Sequence, residues 1–280
     1  MTTPDWLEIT RGDTPLILSQ PHTGTEIPSD ILPRLTSPWL AHKDADWWIE
    51  KLYDFAAGLG ATVVRTKISR TVIDVNRDPS GASLYPGQTT TGLCPAETFD
   101  GEPLYLKGEE STEAEIVTRR ENYFVPYHAA LETEIKRLRA KFPSVVLYDC
   151  HSIRSTVPRL FDGILPNFNI GTNSGASCAP DLEKLVEQLT DHSSFTRITN
   201  GRFKGGWITR HYGQPKNGVH ALQMELACRG YMEEPHEAFT LQNWPAPYNP
   251  SYAEPLRAIL NSILSGLRDW ANSPQTKDTK

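Results

Sequence analysis

Short apolar runs alternate along this chain with segments whose apolar residues recur every three or four positions, and that alternation confines it to an α/β architecture. Leu16–Gln20 reads as a buried strand, halted by Pro21 and a His-Thr-Gly turn. Trp48, Leu52, Phe55 and Leu59 stand at helical spacing over 46–59, and Gly58 and Gly60 end the run. Residues 61–65 predict a second strand and 71–75 a third. Residues 78–110 hold several Gly and Pro with little periodicity, which predicts a long loop or lid, and a loop of that length is itself a pointer to function. Ile116, Phe124, Leu131, Ile135 and Leu138 share one helical face, with Pro126 starting a new helix or kinking the old one. Residues 145–150, ending at His151, have the composition of a central strand buried on both faces. A helix over 181–189, an edge strand over 205–212 and a strand over 221–226 follow, and an amphipathic helix around Leu256, Leu260, Ile263 and Leu267 closes the pattern. The expected fold is a single catalytic α/β domain over 1–272, a mixed β-sheet flanked by helices on both faces, with 273–280 as a polar C-terminal tail.

At 280 residues the chain can bury a core without disulfide or metal staples. Its four cysteines, Cys94, Cys150, Cys178 and Cys228, are widely spaced and form no CxxC pair, so they read as reduced thiols. A formal charge of −6 without any Lys or Arg run argues against nucleic acid as a partner, because neutralising phosphates takes a basic stripe. No apolar run approaches the ~20 residues of a bilayer span, and the opening MTTPDWLEITRGD has neither the basic nor the apolar region of a secretion signal. The expectation is a cytoplasmic protein with no membrane or nucleic-acid partner; oligomeric state is left open.

Sites in open α/β sheets lie just past the carboxyl ends of strands. His22 and His151 occupy that place, and Asp46 heads the helix after the first strand. Each has an ordinary structural explanation alone: a hydrogen-bonded histidine at a strand end, or a carboxylate serving the first turn of a helix. Together, two imidazoles and a carboxylate are a common ligand set for catalytic zinc. No GxSxG occurs, and His151-Ser152 is not a triad signature.

The strings SQPHTGTEIP, DADWWIEKLYDFAAGLGA, SRTVIDVNRDPSG, TTTGLCP, YDCHSIRS, PRLFDGILPNFNIGT, NGRFKGGWITRHYG and GVHALQMELA resemble those of the N-formylglutamate amidohydrolases, also called N-formylglutamate deformylases. The resemblance runs in order from about Pro15 to Glu234. It implies a hydrolase of N-formyl-L-glutamate that yields L-glutamate and formate, the last step of one histidine-degradation route. It also implies the zinc-dependent exopeptidase-like (phosphorylase/hydrolase-like) fold of metallocarboxypeptidases and aspartoacylases. Carried onto this chain, His22 and His151 fall on metal ligands, with one divalent ion, zinc, as the cofactor. The acidic ligand is either Glu26 or Asp46, and Asp46 is preferred because the family pattern centres on the Asp-Trp that opens its helix. Trp48 departs from the His expected after that Asp-Trp, which bears on pocket lining more than on metal.

Asn76-Arg77 is similar to the Asn-Arg pair with which those relatives grip a substrate carboxylate, a task suited to a guanidinium fork. Arg154, three residues past His151, ranks next as a substrate contact, and Arg70 and Arg210 complete the candidates for a small dianionic N-acyl amino acid. Glu225 matches the catalytic glutamate late in the related fold. The alternation of Gln223 and Glu225 against Leu222, Met224 and Leu226 also admits a plain solvent face on an edge strand. His211 and His220 read as pocket lining, and His42, His128, His192 and His236 as surface. The alternatives to a deformylase are a related zinc N-acyl amino-acid deacylase or peptidoglycan amidase, and a non-catalytic binding protein for acidic metabolites.

Overall fold

The apolar runs pair into one mixed sheet. Its strands are β1 (Leu7–Thr10), β2 (Leu16–Gln20), β3 (Thr62–Thr66), β4 (Val145–Ile153), β5 (Phe168–Gly171), β6 (Arg197–Thr199) and β7 (Val219–Ala227), in the order β1-β3-β2-β4-β7-β5-β6. The structure, a computed structural model, describes residues 3–273; the tail expected over 273–280 lies outside the described residues from 274 on. β3, β2, β4 and β7 run parallel, while β1 and the β5–β6 pair run the other way. The carboxyl ends of β2, β4 and β7 therefore open on the same edge of the sheet.

Side chains alternate between faces along a strand, so each face of β4 can be followed residue by residue. Val146, Tyr148 and Cys150 join the core under α5 (Pro180–Asp191) and α7 (Pro250–Asn272), where Leu256, Leu260, Ile263 and Leu267 are buried. Val145 and Leu147 belong to the opposite core, with Tyr127, Leu131 and Leu138 of α4 (Val125–Arg139). Asp149 and His151 continue that second face. Beside them on β7 the same face runs Val219, Ala221, Gln223, Glu225, with Asp149 opposite Gln223 and His151 opposite Glu225. One face of the sheet thus turns from apolar to polar toward its carboxyl edge. The 78–110 stretch, which carries no regular helix or strand, covers part of that polar end.

Several expected elements change form. The 46–59 helix breaks into α2 (Ile49–Leu52) and a 3₁₀ stretch over Asp54–Leu59, following α1 (Pro38–His42). Trp48 adopts φ 64°, its Nε1 donates to the Ala246 carbonyl, and its ring packs on the α7-side core, so it lines no site. Residues 71–75 form turns and not a strand: Val72 N–H donates to Ser69 O and Asp74 N–H to Leu93 O. Pro126 sits in the first turn of α4, where its missing N–H is harmless, directly after α3 (Glu113–Arg119) and a π-helical stretch over Arg120–Phe124. Residues 205–212 are not an edge strand: Trp207–Tyr212 forms the short helix α6, with Ile208, Thr209 and Tyr212 buried. β7 is no edge strand either; it lies between β4 and β5 with all nine residues buried. All four cysteines are free thiols.

Candidate active site

At the polar end of the sheet, three side chains from distant segments converge. His22 follows β2, Asp46 precedes α2, and His151 ends the polar face of β4; their ligand atoms all lie within 4.8 Å of one another and all three residues are buried. The His151 Nδ1 to Asp46 Oδ2 distance is 2.9 Å and that from His22 Nδ1 to the same oxygen is 3.6 Å. His22 Nδ1 and Asp46 Oδ1 are buried without a hydrogen-bond partner. Unpaired buried polar atoms are costly; Asp46 Oδ1 has only Arg70 Nη1 at 3.6 Å, and a divalent cation held by this His₂-carboxylate set would satisfy both atoms. Glu26, the other acidic candidate, is exposed and bridges Ile68 through its backbone, outside this cluster.

The opposite edges of both imidazoles carry carboxylates. Asp74 Oδ1 lies 2.7 Å from His22 Nε2, and Asp149 Oδ2 lies 3.0 Å from His151 Nε2. Asp74 favours the Nε2–H tautomer of His22, which turns its Nδ1 lone pair toward the cluster, while His151 Nε2 is shared between Asp149 and the Asn76 amide nitrogen at 2.8 Å. Burial works against a charged imidazole at His151, but Asp149 and Asp46 outweigh it and hold its pKa well above the ordinary value. Burial likewise opposes ionisation of Asp46, yet His22 and His151 hold its carboxyl below the usual range. Asp74 is a hub, accepting from Arg70 Nη2 at 2.7 Å and from the Asn76 backbone N–H at 2.9 Å. Asn76 in turn donates to Asp149 and accepts from the Ile208 N–H, satisfying an orphan donor in the first turn of α6. Only glycine permits that approach at 206, because a Cβ there would meet Asn76 Nδ2 at 2.5 Å.

The cluster opens into a cleft of about 570 Å³ lined by His22, His151, Gln223 and Glu225, by Arg70, Asn76, Arg77 and Arg202, and by an apolar side that includes Phe99, Ile153, Leu160 and Phe203. The 78–110 loop contributes Tyr85, Thr89, Thr90 and Thr91. Glu225 is buried beside His151, and its Oε2 accepts from Gln223 Nε2 at 3.0 Å. Burial pushes its carboxyl up to about 8, against the pull of the neighbouring His151. A dication among the ligands would draw it back toward the ionised form. The polar side of β7 therefore faces this cleft and not solvent.

Other candidates lie elsewhere. Arg154 is buried against Asp100 at 2.8 Å and Asp44 at 3.0 Å, its charge already neutralised, and it does not line the cleft. Arg210 donates to the Gly205 carbonyl and stacks on Tyr85, and does not itself line the cleft. His211 is exposed and stacks on Trp207. His220 is buried, accepts from the Ala179 N–H and packs against Trp270. His128, expected on the surface, is buried in α4 between Val75 O and the Tyr212 hydroxyl. Residues not singled out from sequence are Asp74, Asp149, Gln223 and Arg202. Asp149 and Gln223 had a readable signal: each sits two positions before a candidate on the same strand face.

A family model described as N-formylglutamate amidohydrolase matches residues 14–232. An N-formylglutamate deformylase of Pseudomonas putida is 44% identical over 265 residues, covering 94% of this chain and 96% of that protein. Its namesake from Pseudomonas aeruginosa is 43% identical over the same length and the same shares. A crystal structure of an N-formylglutamate amidohydrolase from Ralstonia eutropha JMP134 superposes with a TM-score of 0.78 at 24% identity, covering 95% of this chain and 97% of that one, a likeness of fold. The converging histidines, the arginine-lined cleft and these relatives lead to one assignment: the chain belongs to the N-formylglutamate amidohydrolase family.

Proposed function

We propose that this protein hydrolyses N-formyl-L-glutamate to L-glutamate and formate, using one divalent metal ion, zinc, held by His22, Asp46 and His151. The observation that carries the reading is the pair of orphaned buried atoms, His22 Nδ1 and Asp46 Oδ1, beside a buried Glu225 in a cleft lined by arginines. When bound, the ion supplies Lewis-acid chemistry, polarising the amide carbonyl and making water easier to deprotonate. Glu225 removes a proton from the attacking water and later delivers it to the leaving amine nitrogen. Gln223 holds the Glu225 carboxylate by one oxygen, leaving the other for the water. Asn76 and Arg77 orient the substrate α-carboxylate beside the ligands. Arg70 Nη2 donates to Asp74, and the guanidinium keeps positive charge at the cleft wall.

The catalytic unit is the span 1–272, with the zinc-exopeptidase-like architecture part of this proposal. Four free thiols support a reducing compartment, the cytoplasm, and among the described residues no helix is long and apolar enough to cross a membrane. The test is acid release from N-formyl-, N-acetyl- and N-carbamoyl-L-glutamate by zinc-loaded protein. Formylglutamate should be the preferred substrate. Faster release of acetate would replace the deformylase reading with a broader N-acyl amino-acid deacylase, and no release from any of the three would leave a binding protein.

A further inference from the structure

Three guanidiniums line the cleft, and they differ in what already holds them. Arg70 is buried with Asp74 at 2.7 Å and Asp46 at 3.6 Å, so its charge is matched by protein carboxylates. Arg77 donates from Nε and Nη2 to Thr91 and lies 3.5 Å from Asp74. Arg202, on the segment after β6, has no carboxylate within ion-pair distance among the described residues. Its Nε donates to the Leu160 carbonyl at 2.7 Å and its Nη2 to the Thr89 carbonyl at 2.8 Å, while Nη1 donates to no group among the described residues. The rings of Tyr85 and Phe203 flank it at 5.5 and 5.4 Å. Two carbonyls and two rings make the fork rigid, half-buried and pre-oriented, which lowers the entropy lost when an anion binds.

We propose that Arg202 receives the side-chain carboxylate of the substrate, an assignment that rests on the N-formylglutamate reading above. The α-carboxylate is borne by the carbon that carries the scissile nitrogen, so it must lie close to the ligand cluster. Asn76 and Arg77 stand there, tied to Asp149 and Asp74. The side-chain carboxylate is two methylenes further out and needs a cation that stands clear of the cluster. Arg202 meets that need: its anchors are Leu160 and the loop residue Thr89, neither of which touches a ligand. Thr89 also couples the fork to the 78–110 loop, so the side-chain site forms only with that loop in place.

The experiment compares Arg202→Gln and Arg202→Lys with the parent, zinc-loaded, on N-formylglutamate and N-formylglutamine, with metal content and melting temperature measured alongside. The expected result for Arg202→Gln is a fall of kcat/KM by about tenfold or more on formylglutamate, the loss of one charge-assisted contact, and less than about threefold on formylglutamine. Arg202→Lys should fall between, because charge survives but the fork does not. Metal content should match the parent. Equal losses on both compounds would mean that Arg202 serves the α-carboxylate or merely props the loop, and would overturn the assignment, as would an unchanged preference. A parent that releases formate from both compounds at the same rate also overturns it. A parent that releases formate from neither overturns the deformylase reading as well.

Discussion

Glu225 shows most plainly what position does to a side chain. On β7 it stands opposite His151 with 7% of its surface exposed, and burial, helped by the nearby Asp46 and Asp149 carboxylates and opposed by His151 and Arg70, lifts its carboxyl to about 8, a range where it can both take and return a proton near neutrality. Glu225→Gln keeps the shape and the Gln223 contact but removes the proton acceptor. Turnover should drop by about 10²–10⁴-fold with metal content and KM little changed. A variant within a few-fold of the parent would make Glu225 a structural carboxylate. Arg77→Lys tests orientation in place of chemistry: both Thr91 contacts depend on the guanidinium edge, so kcat/KM should fall by at least about tenfold although charge is kept. A lysine variant with parental kcat/KM would remove Arg77 from substrate binding. The residues that sequence motifs picked for metal and base do come together. Arg154 and Arg210 do not, because what a guanidinium does depends on which carboxylates fold against it, and Asp44 and Asp100 lie 110 and 54 positions away from Arg154.

The strands and long helices were readable because periodicity reports burial, and burial is what orders them. The 145–150 run became a strand with every residue buried, and the residues around Leu256 became the apolar side of a 23-residue helix. The segments that misled are those whose conformation is dictated by polar partners. Residues 71–75 look β-branched but turn so that Asp74 can meet His22, Arg70 and the Asn76 N–H. Within 205–212, Trp207–Tyr212 forms α6, and Asn76 accepts from its first turn. His128 is the same lesson inside α4. Nε2–H donates to Val75 O and Nδ1 accepts from the Tyr212 hydroxyl, so the neutral ring is fully used. Burial lowers its pKa to about 4 from 6.5. A histidine depressed in the folded state contributes stability above its unfolded pKa and loses it as pH falls toward the folded one, here from about 6.5 to about 4. At about 1.4 kcal/mol per pKa unit the loss amounts to about 3 kcal/mol by pH 4. Urea unfolding of parent and His128→Gln at pH 7 and pH 4.5 measures it: the variant should be weaker at pH 7 but show the shallower decline. Equal declines would mean that other groups carry the acid sensitivity.

The His22–Asp46–His151 cluster is where the parts of the chain depend on one another, since residues 22, 46 and 151 come from the end of β2, the approach to α2 and β4. Holding them together in the absence of a cation leaves Asp46, Asp74 and Asp149 buried around two imidazoles. The proton is the natural substitute, because Asp149 and Asp46 raise the His151 pKa well above its ordinary value despite burial. A pKa raised in the folded state gives the metal-free protein stability that is present at low pH and is lost as pH rises through the folded value. A protein with the proposed ion bound would need no such proton, because its ligands would be held deprotonated. The stability gained on loading should therefore grow with pH, reaching about 2.7 kcal/mol when free zinc is a hundred times its dissociation constant. Melting temperatures of chelator-treated and zinc-saturated protein at pH 6 and pH 8 test this, with calorimetric titration in buffers of different ionisation enthalpy to count protons. The expected outcome is a wider gap at pH 8 and net proton release on uptake, with far-UV circular dichroism of the metal-free form close to that of the loaded one. A gap that stays constant with pH, without proton release, would mean that His151 is already neutral before the ion arrives. Asp149 would then serve to aim the ring without charging it, and Asp149→Asn would leave zinc affinity nearly unchanged.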